Sequence, residues 1–108
     1  MKIVGRISAI LLCTIACACA CAQQRAASVY KTNCAACHGA VGDGNTPAGK
    51  VFNVPSFSSE TVLKEPDGSL LAIAKNGKGK MPAWHDKLSE DQLKDLIAFI
   101  HTLQKKPQ

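Results

Sequence analysis

Cys34, Ala35, Ala36, Cys37 and His38 stand in a row, two thiols separated by two small residues with an imidazole directly after the second. Three chemistries use thiols spaced in this way. Such a pair can cycle to a disulfide, supply half of a zinc site, or, when a histidine follows at once, attach a haem covalently. The first two do not ask for a histidine next to the second cysteine. A zinc site also needs two further ligands, for which only His85 and His101, sixteen residues apart, remain outside the N-terminal stretch. Covalent haem attachment uses the cysteines and the histidine together. Spaced by one helical turn, Cys34 and Cys37 can each add to one vinyl group of the macrocycle while His38 turns its imidazole to the iron.

Attachment through one histidine leaves a further coordination position, and its occupant decides between electron transfer and ligand chemistry. Met81 is the leading candidate. It lies in Gly77-Lys78-Gly79-Lys80-Met81-Pro82-Ala83-Trp84, where glycines let the backbone cross a cofactor face and Pro82 restrains the residue that follows. A gap-filling methionine belongs on an apolar stripe, which this segment lacks. His85, four residues further on and beside Asp86, is the main rival, but an exposed loop histidine there suits solvent or an ion pair better. His101 falls outside the apolar side of the last helix and reads as a surface residue. A thioether ligand favours ferrous iron and raises the reduction potential relative to two histidines.

The elements that must position these residues are short. Residues 1–22 read as a secretory leader: Lys2 and Arg6 form a positive start, Ile7 to Ile15 an apolar run, and Ala20-Cys21-Ala22 a small-residue cleavage site. The run is too short to span a bilayer comfortably. Cleavage there removes Cys13, Cys17, Cys19 and Cys21, leaving Cys34 and Cys37 as the cysteines of a single domain over 23–108 and excluding a six-cysteine disulfide framework. A cysteine at 17, 19 or 21 is the alternative end of the leader, as the acylated first residue of a lipoprotein. The formal charge of +5 falls to about +3 without Lys2 and Arg6, too little to imply nucleic-acid binding. So small a chain has a marginal polypeptide core, which a covalently bound apolar cofactor would enlarge.

A short helix is expected from Ala26 to about Cys34, then a breaker-rich loop over residues 39–57. Ser58 or Ser59 caps a turn over Glu60 to Lys64, Pro66-Asp67-Gly68 turns the chain, and Ser69 opens a second helix that Gly77 ends. Nothing alternates with a period of two, so little or no sheet is expected. The last element is the best defined. Ser89 and Gln92 write a capping box, Leu88 can staple onto Leu93, and Leu93, Leu96, Ile97, Ile100 and Leu103 give a helix from about Glu90 to Gln104 an apolar face. Glu90 and Asp91 at its start and Lys105 and Lys106 at its end suit the helix dipole.

Taken together, Tyr30 before the Cys34–Gly39 segment, Gly42-Asp43-Gly44, the Gly77–Pro82 loop and Asp95-Leu96-Ile97-Ala98-Phe99-Ile100 resemble the class I cytochromes c. The resemblance covers the chain beyond the leader and is nearest the compact bacterial members. It implies an all-α fold of roughly three to five short helices around one haem c, the first and last helices crossing with Tyr30 and Phe99 at the crossing and Ala26 where the family often has glycine. It also implies a bond from the second ring nitrogen of His38 to a carbonyl near a proline, Pro47 first and Pro55 second. Trp84 is expected against the haem edge.

The expected function is outer-sphere electron transfer by an exported, monomeric carrier: not an enzyme, with no membrane span, Cys34 and Cys37 binding the haem and His38 and Met81 ligating its iron. Lys75, Lys78 and Lys80, with Lys50 and Lys87, offer a positive rim for acidic redox partners, or simply a solvated face. Two other readings stand beside this one. Without Met81 the haem would be five-coordinate or bis-histidine, a small-ligand sensor or weak peroxidase, although no arginine follows Arg25 to serve as a distal group. The chain could instead be a dedicated haem subunit of a larger redox enzyme.

Overall fold

The computed structural model describes residues 4–105; Lys2 of the expected leader and Lys106 after the expected last helix lie outside the described residues. Among the described residues the fold is all-α, with six helices where three to five were expected: α1 (Val4–Asn33), α2 (Ala35–His38), α3 (Pro47–Val51), α4 (Glu60–Leu63), α5 (Asp67–Asn76) and α6 (Glu90–Gln104).

The first helix does not start near Ala26. No glycine or proline lies between Arg6 and Cys34, and alanines recur throughout, so nothing local interrupts α1 where the expected leader meets the expected short helix. Among the described residues no helix is long and apolar enough to cross a membrane. The second surprise is α3, inside the stretch read as a loop. Thr46 caps it, its Oγ1 accepting from Gly49 N at 2.8 Å, and Pro47 occupies the first turn, where its missing N–H costs nothing. Helix α5 begins two residues before Ser69, because Pro66 serves as its N-cap and Leu70 N donates to the Pro66 carbonyl at 3.2 Å. It ends at Gly77 as expected. Helix α6 follows the sequence pattern, with both halves of the Ser89–Gln92 capping box formed.

The core lies between α1 and α6. Ala26 and Tyr30 from α1, Phe57 from the loop, and Leu93, Leu96, Ile97 and Leu103 from α6 are buried. The Tyr30 ring meets Phe99 with centroids 5.3 Å apart and planes tilted by 54°, and Phe57 at 6.3 Å, arrangements that aromatic quadrupoles favour. Leu93, at 1% exposure, packs in the same cluster as Leu88 and Trp84. Burying a leucine to this degree is worth about 2 kcal/mol. Helix α5 leans on α6 through Leu71 and Ala74 and through two polar ties, Lys75 Nζ to Glu90 Oε2 at 2.9 Å and His101 Nε2 to Asp67 Oδ1 at 2.7 Å. The lysine pair is well exposed and adds little.

His101, read as a surface residue, is half-buried and bonded at both ring nitrogens, Nδ1 facing Gln104 Oε1 at 2.7 Å. Those bonds, to Gln104 first and Asp67 second, hold its pKa above the ordinary imidazole value. The folded state therefore gains stability from His101 in full below the ordinary value of about 6.5 and loses it as pH rises through the raised one. Compared with His101→Gln by urea denaturation, the native chain is expected to have its largest advantage near pH 5.5 and to lose that advantage by pH 8.5.

A second expectation concerns Tyr30. Its hydroxyl donates to the buried carbonyl of Gly39 at 2.6 Å, and Tyr30→Phe removes the donor. The substitution is expected to lower the unfolding free energy by about 1–2 kcal/mol, read from the urea midpoint of the haem-loaded protein.

Candidate haem site

Helix α1 delivers the thiols. It ends at Asn33, whose side-chain amide donates to Val29 O at 3.0 Å, and the chain turns at Cys34 into α2. Cys34 N still donates to Tyr30 O at 2.8 Å, and His38 N to Cys34 O at 2.9 Å, so both cysteines and the histidine sit on one continuous turn. Cys34 and Cys37 are free and half-buried. Burial, and then the charge of Cys37, push the Cys34 thiol up to about 11, whereas a redox-active dithiol works through a lowered thiol pKa. Nor do three or more His, Cys, Asp or Glu side chains converge among the described residues in a way that could hold a metal ion. Dithiol and zinc chemistry both lose support on these grounds.

The short helix α2 ends at His38 with its last carbonyls to be satisfied. Thr46 Oγ1 donates to Cys37 O at 2.9 Å, Gly44 N to His38 O at 2.8 Å, and Tyr30 Oη to Gly39 O. The His38 ring stacks on Phe57, centroids 4.7 Å apart and planes 19° from parallel. Burial lowers its pKa, which favours the neutral ring with its free lone pair. Its Nδ1 is buried with no hydrogen-bond partner. The bond expected to a carbonyl near Pro47 or Pro55 is therefore not formed; the ring instead lies flat against Phe57. A half-buried imidazole on the same turn as two free thiols is a donor set that fits haem.

Met81 arrives from a different part of the chain. Lys78 N donates to Met81 O at 3.1 Å and Met81 N to Lys78 O at 2.9 Å, an isolated bridge around the two-residue loop Gly79-Lys80. Of these two, only Gly79 has positive φ, at 58°, as a type II′ turn requires of its first central residue. Beyond Pro82, Trp84 N and His85 N donate to Ala74 O and Lys75 O, each at 3.2 Å, which pins the loop to the end of α5. Met81 itself is half-buried. Trp84 packs on the core cluster. The rival histidines are engaged elsewhere: exposed His85 Nδ1 lies 2.9 Å from Asp86 Oδ1, and His101 is held by Asp67 and Gln104.

Sequence reasoning missed two residues of this site. Phe57 has no periodic neighbours to mark it as buried, and only its isolation as an aromatic residue in a glycine- and proline-rich stretch could have drawn notice. Thr46 was legible: a threonine before proline is a helix start.

Residues 22–100 match the protein family described as cytochrome c oxidase, cbb3-type, subunit III. Cytochrome c6 of Bryopsis maxima is 37% identical over 79 residues, 68% of this chain and 83% of that protein. Cytochrome c6 of Euglena gracilis is 39% identical over 83 residues, 70% of this chain and 86% of that protein. The cbb3-type oxidase subunit CcoP of Azospirillum brasilense is 34% identical over 86 residues, 78% of this chain. This chain spans only 29% of that subunit's length. The thiol turn, the all-helical frame and these likenesses agree: the chain belongs to the class I cytochromes c, and it transfers electrons through a covalently bound haem c.

Proposed function

We propose that this chain is an exported one-electron carrier in which Cys34 and Cys37 bind the haem covalently and His38 and Met81 ligate its iron. When bound, the haem supplies a ferrous/ferric couple. The observation that carries the assignment is one continuous turn that holds two free, half-buried thiols beside His38, whose ring is fixed by stacking on Phe57. The role of the protein follows from its residues. The α2 turn fixes thiols and imidazole together, Phe57 limits rotation of the ring, and the Lys78–Met81 hairpin presents a thioether on backbone bonds. None of these groups needs to move between oxidation states, which suits rapid outer-sphere transfer. With His85 paired to Asp86, the sensor and peroxidase readings have less to support them.

In this reading residues 1–22 act as an export leader and 23–108 as the functional domain. The exposure of Cys17, Cys19 and Cys21 also suits an acyl anchor, which would tether the carrier to a membrane surface. A second functional reading, a haem subunit that serves one oxidase, is favoured by the family matched over residues 22–100. Both readings pass electrons between protein partners.

The ligand assignment is tested by absorption spectroscopy. The oxidised, haem-loaded protein is expected to show the weak long-wavelength band of methionine sulfur on ferric iron, and Met81→Ala to abolish it and lower the reduction potential. A band that survives Met81→Ala overturns the assignment.

The lysine rim is smaller than the sequence suggested. Lys75 pairs with Glu90 and Lys87 lies over the Trp84 ring at 5.2 Å, whereas Lys50, Lys78 and Lys80 are exposed. Replacing Lys78 and Lys80 by glutamine is expected to slow electron transfer to an acidic partner several-fold at low salt. Stopped-flow rates for variant and native protein should converge near 1 M ionic strength, where the screening length is about 3 Å.

A further inference from the structure

The His101 bonds have a direction. Gln104 Nε2 donates to the Phe57 carbonyl at 3.1 Å, so its amide oxygen is the atom that faces His101 Nδ1 at 2.7 Å. The other ring nitrogen faces the Asp67 carboxylate at 2.7 Å. Both nitrogens therefore look at acceptors, and only the imidazolium, with two N–H groups, satisfies both at once. On losing a proton the ring must release either Asp67 or Gln104.

What Gln104 holds is next to the haem site. Phe57 N donates to Gly42 O at 2.8 Å, and its ring is seated where a Cβ on Gly42 would approach to 2.3 Å, leaving the aromatic little freedom except through its own carbonyl. The same ring stacks on His38, with centroids 4.7 Å apart. A continuous chain of contacts thus runs from a surface proton site on α6 to the imidazole beside the thiols.

We propose that Asp67, His101, Gln104 and Phe57 form a proton-sensitive positioning device for His38, through which the reduction potential of the haem responds to pH. The proposal rests on the reading of His38 as an iron ligand. The charged groups around His101 are Asp67 from α5 and Lys94 and Lys105 from α6. Asp67 is the one that bonds it. In the titration range one electron arrives from a redox partner and a fraction of one proton from solvent binds His101; on oxidation the electron leaves to an acceptor protein and the proton returns to solvent. Coupling of this kind is reciprocal. If the arrangement held by the protonated ring favours ferrous iron, reduction must raise the proton affinity of His101 by the same factor.

The test uses the haem-loaded protein. Its potential, measured from pH 5 to 9, is expected to fall across the His101 titration, and the ring proton signals of His101 in nuclear magnetic resonance should give acid constants about twofold or more apart in the ferrous and ferric forms. His101→Gln is expected to remove that dependence. An unchanged dependence in this variant assigns it to the haem propionates and overturns the proposal. Gln104→Ala keeps the charge and cuts the link to Phe57, so a reduced dependence supports positioning, whereas the full dependence means charge acting through space and overturns it. Absorption spectra of the same samples report the ligands separately: a lost methionine band or an altered histidine ligation points to failure of the ligand reading, and an intact spectrum with a pH-independent potential overturns the device alone.

Discussion

Three carbonyl groups at the end of a four-residue helix organise this molecule. Like any helix, α2 leaves its C-terminal acceptors without partners of its own, and they belong to Cys37, His38 and the capping Gly39, at and beside the chemistry. Each is met from a different place: Thr46 at the cap of α3, the Gly44 amide in the loop, and the Tyr30 hydroxyl from the core face of α1. The need to close these acceptors thus draws the loop and the first helix onto the thiol turn. Tyr30 serves twice, since the ring that delivers its hydroxyl also carries the contact with Phe99 on α6.

The polypeptide core is small. Ala26, Tyr30, Phe57 and four residues of α6 make up the buried apolar side chains among the described residues, a slender basis for a stable fold of this size. A covalently bound haem c adds apolar surface that does not dissociate, so cofactor attachment and folding stability are one problem in this family. Of the polar ties between α5 and α6, the exposed Lys75–Glu90 pair adds little energy.

Much of this was legible from local sequence because the signals were local. The thiol–histidine segment, the capping box of α6 and the apolar spacing of Leu93, Leu96 and Ile97 each depend on neighbours within a turn or two. What escaped depended on distant partners or on residues with two meanings. Pro47 looks like a breaker until Thr46 is seen to cap a helix around it. Phe57 is buried by Tyr30 and His38, which no periodicity announces. His101 was placed on the surface by its helical position, correctly as to side, but its bonds reach 34 residues back to Asp67. The expected tie from His38 to a proline-adjacent carbonyl came from family likeness, and here stacking on Phe57 takes its place.

The hairpin that carries Met81 is closed by main-chain bonds between Lys78 and Met81 and pinned to α5 by the amides of Trp84 and His85. No side chain of Lys78 or Lys80 takes part in those bonds. The outward charges of this loop can therefore change without disturbing the backbone that places Met81. Under the proposed ligand set, recognition and redox tuning would lie on the same few residues and yet be free to vary independently.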